Sequence, residues 1–553
     1  MAPPPLAERA RRGAVVVLAA DSAAAEPLAA LGAELDAATA AMAPRVPVAL
    51  DRPLTVAAEP DHVAQAVRAG AVGEAVAGGP ADVHLVLHPD DGFAYRHAAA
   101  AALLRRAGLA DGLPPYLLDG AALWLSGDWY GRPWRGWLPD LAAAEVLPAA
   151  DELLAAEPPP DGSRLLWTPV AAAVVDRLPG STVVEKVSSL PSRSAVAALL
   201  ERIAAEASAA PAGVAPARPR APLPPFVAGV SLAMRNSLDG GYHAPSVVRV
   251  LDRLAGLGAD AVSLMPFAFQ AAPDAPGLRY LNRRPRSETD AGMVHAARRA
   301  RERGFVVLWK PQIWLRGSWS GEIAMANDAA WAAWWRSYRR FLVHQAALAE
   351  WTGAEVLSVG TELGGTLERE AEWRRAIAAV RRVYRGRLTY AANWHGDFDR
   401  VPFWDRLDLL GIDAYRPLAA APDASPRQLA VGARAVARDL AVASRRHGKR
   451  VLLTEVGYAA RRAPWTSPHE EGGELSPEDQ AAAYRALFAG LGRPDWLAGL
   501  FVWKAFSDEA PGAAASERPD FRFLGRPAEA AIRDAFRGRH RPAAPGPAAP
   551  PLR

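Results

Sequence analysis

The chain has 553 residues, half of them hydrophobic and 22% charged, with a formal net charge of +4. That is globular composition on a chain too long for one ordinary core, so two to four domains are expected. The absence of cysteine excludes disulfides, thiolate metal sites and cysteine nucleophiles; no dense Lys/Arg run marks a nucleic-acid footprint, and no stretch approaches the roughly 20 apolar residues of a membrane span.

From the N-terminus, Arg11 and Arg12 precede the apolar run Ala14–Ala20. That is the order of a signal peptide, but the run is short for one. It reads instead as a first strand, Val15–Leu18, entering a helix at Asp21. A strand around His84–His88 follows, then a helix from about Ala94 to Arg106, the segment Pro114-Pro115-Tyr116-Leu117-Leu118-Asp119-Gly120-Ala121-Ala122, and an apolar stretch from Leu165 to Leu178 before Gly180. Residues 209–225 are Pro/Ala-rich and predict an extended spacer, and residues 537–553 predict a disordered tail. This divides the chain into an N-terminal accessory domain, 1–208, and a C-terminal domain, 226–536, with no short-period repeat.

The C-terminal domain alternates short apolar runs with amphipathic stretches. The runs are Val227–Leu232, Ala261–Met265, Val306–Trp309, Val356–Val359, Leu388–Ala391, Leu407–Ile412, Val451–Thr454 and Leu500–Trp503. Each has the character of a parallel strand buried on both faces. Helical patterns lie between them, as at Ser246–Leu257, Ala330–Trp351 and Ser476–Leu491. Eight such strands predict an α/β fold, a (β/α)8 TIM barrel preceded by a smaller α/β or α+β domain. A doubly wound open sheet is the alternative, but it would favour a Gly-rich loop after the first strand, and Val230-Ser231-Leu232-Ala233 supplies none.

In such barrels the chemistry stands at the C-terminal strand ends. The fourth run ends Gly360-Thr361-Glu362-Leu363 and the seventh Thr454-Glu455-Val456-Gly457-Tyr458. The third ends in Lys310-Pro311-Gln312, the fifth in Asn393-Trp394-His395, the sixth in Asp413-Ala414-Tyr415 and the eighth in Trp503-Lys504. A single glutamate is ordinarily a surface or ion-pair group. Two across one barrel mouth are what glycoside hydrolysis needs: one protonates the leaving oxygen and the other attacks the anomeric carbon, with retention when they stand about 5–5.5 Å apart.

The stretch from Gly229 to about Ser507 resembles glycoside hydrolase family 113, the β-mannanase-like branch of the large retaining barrel clan. Lys310-Pro311 with Trp314 and Trp319-Ser320-Gly321 carries the resemblance, as do Gly360-Thr361-Glu362-Leu363, Trp373-Arg374, Leu388–Asn393, Phe403-Trp404, Gly411–Tyr415 and Thr454–Tyr458. It implies that Glu362 is the acid/base and Glu455 the nucleophile. Thr361 precedes Glu362 where the clan usually has asparagine, and Gln312 stands where a histidine is expected, at the nearest sugar subsite. Tyr415 is expected to hydrogen-bond the nucleophile. Asn393, Lys310 and Asp413 are candidate ligands of sugar hydroxyls, and Lys310 reads equally well as a buried ion-pair partner of Asp413 or a catalytic glutamate. Trp314, Trp319, Trp394 and Trp503 are candidates for stacking on pyranose faces. His243 and His395 are isolated, so no metal site emerges, and retaining glycosidases of this kind need no cofactor.

The N-terminal order also resembles gluzincin-type metallopeptidases, in which a His-Glu-x-x-His helix precedes a Pro-Pro helix carrying the third zinc ligand. Here the first helix reads His97-Ala98-Ala99-Ala100-Ala101, so the general base and the second histidine are both alanine, and only Asp119 stands at the third-ligand place. The module is expected to be inactive as a peptidase, with an unrelated α/β accessory domain as the alternative. The resulting expectation for the whole chain is a retaining hydrolase of a β-linked glycan of β-1,4-mannan type. A catalytically silent carbohydrate-binding barrel and an N-terminal metallopeptidase are the rival readings. The expected partner is the β-glycan, not nucleic acid or membrane. Oligomeric state, and the choice between cytoplasm and export, stay open.

Overall fold

The computed structural model describes residues 2–46, 52–188, 192–210, 218–280, 286–509, 511–512 and 515–538. Residues 211–217 of the expected spacer and 539–553 of the expected tail lie outside them. The N-terminal part holds a five-stranded sheet whose order in space is Ala7–Arg12, Val15–Ala19, Leu54–Glu59, Val83–Val86, Ala75–Ala77. Its three inner strands are parallel and nearly all buried. The two outer ones are antiparallel. The first outer strand, Ala-Glu-Arg-Ala-Arg-Arg, departs from the sequence expectation: its charges contradict a core strand but suit an exposed edge. The following helix begins at Ala25 rather than Asp21, and Asp21 pairs with Arg9 of that edge strand.

Eight parallel strands close the barrel: β1 Val227–Ala233, β2 Ala261–Leu264, β3 Val306–Trp309, β4 Val356–Thr361, β5 Arg387–Asn393, β6 Leu410–Asp413, β7 Val451–Val456 and β8 Leu497–Phe506. The ring closes where β8 pairs with β1. Each expected run becomes one of these strands because residues apolar on both faces can be buried between ring and helices. β6 begins three residues later than its apolar run: Asp408 accepts the Leu388 N–H at 2.7 Å and pairs with Arg381, which holds 407–409 outside the ladder. Three short strands, Phe267–Gln270, Leu278–Arg279 and Gln312–Leu315, form a separate small sheet beyond β2 and β3.

The N-terminal part is fastened to the barrel helices Asp290–Glu302 and Asp328–Thr352 and to Tyr280. Arg298 makes two 2.7 Å bonds to Asp91, Arg340 holds Glu152 at 2.7 and 2.8 Å, Ser163 Oγ meets His344 Nδ1 at 2.8 Å, and the Tyr280 hydroxyl donates to Asp161 O at 2.7 Å. One continuous apolar cluster runs from the N-terminal helices into the barrel layer, joining Trp167, Leu166 and Val170 to Trp334, Trp335 and Phe341. The described part of the spacer lies along the same helix, with Arg220 on Glu350 and Arg218 over the Trp351 ring.

Arg298 and Asp91 are only 10% and 4% exposed, so removing one partner leaves a buried uncompensated charge. We expect Arg298→Ala to cost about 3 kcal/mol, read as a lowered midpoint in thermal unfolding of the full chain. Substitution of the exposed Arg375, which pairs only along its own helix, should change stability by less than about 0.5 kcal/mol.

Candidate active site

The cavity at the C-terminal mouth of the barrel has a volume of about 800 Å³. Glu362, Glu455, Asn393, Trp394, Tyr415, Trp319 and Trp503 all line it. Local irregularity aims the carboxylates. The register between β4 and β5 shifts between Ser358 and Thr361, and that between β6 and β7 shifts at Asp413, which pairs with Glu455. Such bulges redirect side chains at barrel rims. Glu362 has φ of 52°, the left-handed region that a branched or long side chain adopts only under constraint. The constraint is visible: its N–H donates to Ala391 O at 2.8 Å, and the next N–H, of Leu363, donates to the Tyr390 hydroxyl at 2.8 Å. Gly360 just before it has no room for a side chain, since a Cβ there would stand 2.8 Å from the Trp373 ring.

Glu455 occupies the centre. Tyr415 donates to Oε2 at 2.6 Å, and the Lys310 ammonium contacts Oε1. Lys310 is also 3.1 Å from both Asp413 oxygens, and Thr454 donates to Asp413 Oδ1 at 2.7 Å. Burial works against the lysine's charge, but Asp413 and Glu455 outweigh it and hold Lys310 above its ordinary value. One ammonium cannot satisfy two buried carboxylates, so burial and then the Glu455 charge push the Asp413 carboxyl well up. Burial and the Glu455 charge likewise raise Tyr415, which is therefore a donor at neutral pH.

Glu362 has a different environment. Trp319 Nε1 donates to Oε2 and Asn393 Nδ2 to Oε1, each at 2.8 Å. These bonds favour the charged form, yet burial, followed by the Glu455 charge, prevails and raises the Glu362 carboxyl above the usual range. Two glutamates share one cavity, one carrying a cation and a phenol on its oxygens and the other held toward its protonated form.

Several expected ligands are repositioned. Lys310 and Asp413 are 0% and 1% exposed and stand beneath the cavity, where Lys310 forms the ion pair with Asp413 and Glu455 that is one of its two readings. Asn393 and Trp319 hold Glu362 as well as lining the cavity. Gln312 and Trp314 do not line it: both lie on the small outer sheet, where Gln312 is half-buried and Trp314 packs on Phe269 at 5.8 Å. Unexpected lining comes from His395, Asp397, Arg400, His469 and Phe521. His395 is visible at a strand end but reads as solitary in sequence; the others stand in loops and carry no periodic signal. Among the described residues no group of three or more His, Cys, Asp or Glu could hold a metal ion.

A closed parallel barrel with paired glutamates at its mouth defines a barrel glycoside hydrolase. The model of Glycoside Hydrolase Family 113 matches residues 234–526, just over half of the chain, and the chain belongs to that family. A family 113 β-mannanase from Alicyclobacillus acidocaldarius, in complex with ManMIm, is similar with a TM-score of 0.51 and 28% identity, covering 57% of this chain and 97% of that one. A complex of a family 113 β-1,4-mannanase shares the fold with a TM-score of 0.50 and 24% identity, covering 56% and 99%. No curated protein matches.

Because the raised carboxyl of Glu362 binds its proton more tightly folded than unfolded, its contribution to stability is full below the unfolded value and is lost as pH rises through the folded one. The unfolding midpoint of the wild type should therefore gain on that of Glu362→Gln as pH falls from neutral to about 5, since the variant has no proton to take up. Calorimetry at several pH values reads this; a difference constant with pH would contradict it.

Proposed function

We propose that this chain hydrolyses a β-1,4-mannan-type glycan by double displacement, with Glu455 as nucleophile and Glu362 as acid/base. The observation that carries the reading is the opposed treatment of the two carboxyls. Lys310 and Tyr415 donate to the two Glu455 oxygens and fix the direction of that carboxyl. Burial beside that charge favours a proton on Glu362. A carboxyl kept toward its protonated form beside a carboxylate held by two donors is what the acid and nucleophile roles require.

In the first step Glu362 gives its proton to the glycosidic oxygen while a Glu455 oxygen bonds to the anomeric carbon and the leaving sugar departs. In the second step the Glu362 carboxylate takes a proton from water, whose oxygen displaces Glu455 from the same carbon. Two inversions retain configuration. Trp394 and Trp503 line the cavity as stacking surfaces. The substrate class follows the mannanase relatives.

For the N-terminal part, we read a peptidase-like module without the catalytic set, in a chain divided at about 1–208, 209–225, 226–536 and 537–553. Supporting this, His97 Nε2 faces Asp119 Oδ1 at 3.6 Å, as the resemblance would align them, but Arg164 clamps Asp119 at 2.8 and 3.1 Å. Chelator-sensitive peptidase activity of the purified chain would overturn this.

Reducing-sugar release from β-mannan, glucomannan, xylan and β-glucan tests the main reading. Mannan-type polymers should be cleaved, and Glu455→Ala should lose on the order of 10⁴-fold or more. A folded wild type that releases nothing, or a Glu455→Ala variant as active as wild type, would sink it. The pH profile gives a second check. The acid must be protonated, so kcat/KM falls as pH rises through the Glu362 value. Trp319→Phe removes a bond that favours the charged form and should move that alkaline limb to higher pH.

A further inference from the structure

A second groove of about 770 Å³ lies between the barrel and the N-terminal part, away from the catalytic cavity. Its floor is aromatic: Trp314, 45% exposed, packs against Phe269 at 5.8 Å. Its lining carries four arginines, Arg279, Arg316, Arg336 and Arg340, against two carboxylates, Glu152 and Asp161. Arg340 is paired with both carboxylates. Arg279, Arg316 and Arg336 are exposed, and none has an ion-pair partner among the described residues; Arg279 only stacks over the Phe269 ring.

Guanidiniums with no ion-pair partner among the described residues, lining one groove with an exposed indole, form an incomplete arrangement. The aromatic face suits an apolar ring face, and the planar forks suit a carboxylate in two-point contact. Trp314 stands on the strand Gln312–Leu315, which follows directly from the Lys310-Pro311 end of β3, and the same loop continues to Trp319 on Glu362. The groove is therefore joined to the catalytic cavity by a single short segment. Glu152 and Asp161 lie outside the stretch matched by the family, so this lip is supplied by the N-terminal part.

We propose that this groove binds a carboxylate-bearing sugar unit of the β-glycan, stacked on Trp314 with its carboxylate against Arg279, Arg316 and Arg336. The inference rests on the glycan-hydrolase reading and adds to it a preference for acidic substitution away from the cleavage point. Nucleic acid would also answer to arginines and an indole, but the site's continuity with the catalytic loop favours glycan.

The test is calorimetric titration of the full-length Glu455→Ala chain with two matched ligands: a β-1,4-manno-oligosaccharide, and the same oligosaccharide oxidised at C6 to carboxylates. The oxidised ligand should bind at least about tenfold tighter at low salt, and the gap should shrink at ~1 M salt, where charge is screened within ~3 Å. The triple variant Arg279→Ala/Arg316→Ala/Arg336→Ala should abolish that gap while keeping the wild-type unfolding midpoint, since no ion pair is lost. Trp314→Ala should weaken both ligands. Equal binding of the two ligands, or a gap that survives the triple variant, overturns the proposal. So does a single-stranded RNA oligonucleotide that binds as tightly as the oxidised sugar and with the same arginine dependence. Arginine-dependent binding in a chain that hydrolyses no polysaccharide would refute the hydrolase reading and leave this site standing.

Discussion

The lysine ammonium at the base of the catalytic cavity organises everything above it. Lys310 has no exposed surface, and it contacts Asp413 and Glu455 at once. Such a cluster is worth little as net stability, because desolvating its charges offsets most of their attraction. Its value is positional. Each member comes from a different strand end, β3, β6 and β7, so the charges can be satisfied only when those three strands stop at the right heights. The register shift at Asp413, paired with Glu455, is the local adjustment that meets this demand.

The backbone of Glu362 is held by its surroundings in the same way. Its left-handed φ costs on the order of 1 kcal/mol and persists because neighbouring groups fix both flanking amides. Strain and a disfavoured charge are thus concentrated on one residue. The packing that compensates them lies behind it, in Tyr338, Trp373, Tyr390 and Phe403, which touch one another edge-on or stacked. Tryptophans around the catalytic cavity accordingly divide into two populations. Trp309, Trp334, Trp335 and Trp373 are fully buried supports, whereas Trp319, Trp394 and Trp503 face the cavity.

The barrel is legible in the sequence because burial on both faces leaves a one-dimensional trace: short apolar runs with polar ends. The catalytic glutamates are legible for the same reason, since strand ends are where that trace stops. Lys310 and Asp413 can be assigned to the site from their positions, but their role cannot, because an ion pair across the barrel depends on strands that sequence spacing does not relate. Trp314 and Trp319 are five residues apart and look alike in sequence; only the turn at Arg316–Ser318 separates one from the other. Arg400 and His469 come from loops without pattern. The edge strand Ala7–Arg12 leaves no such trace because its residues are chosen for solvent and not for packing. Asp91, Arg298 and Arg340 look like ordinary surface charges in sequence, and their side chains are buried where one part of the chain packs on the other.

That docking bears on the site through one element. The helix Asp328–Thr352 is buried along most of its length. On one side Arg340 and His344 hold Glu152, Asp161 and Ser163 of the N-terminal part. On the other, Tyr338 donates to Val359 O at 2.6 Å, three residues before Glu362. A close-packed interior transmits displacement instead of absorbing it. The same helix therefore touches both the N-terminal part and the end of β4, the strand from which Glu362 extends. The N-terminal part covers the outer face of that helix with Trp167, Glu152 and Ser163, so one apolar layer is shared between it and the barrel.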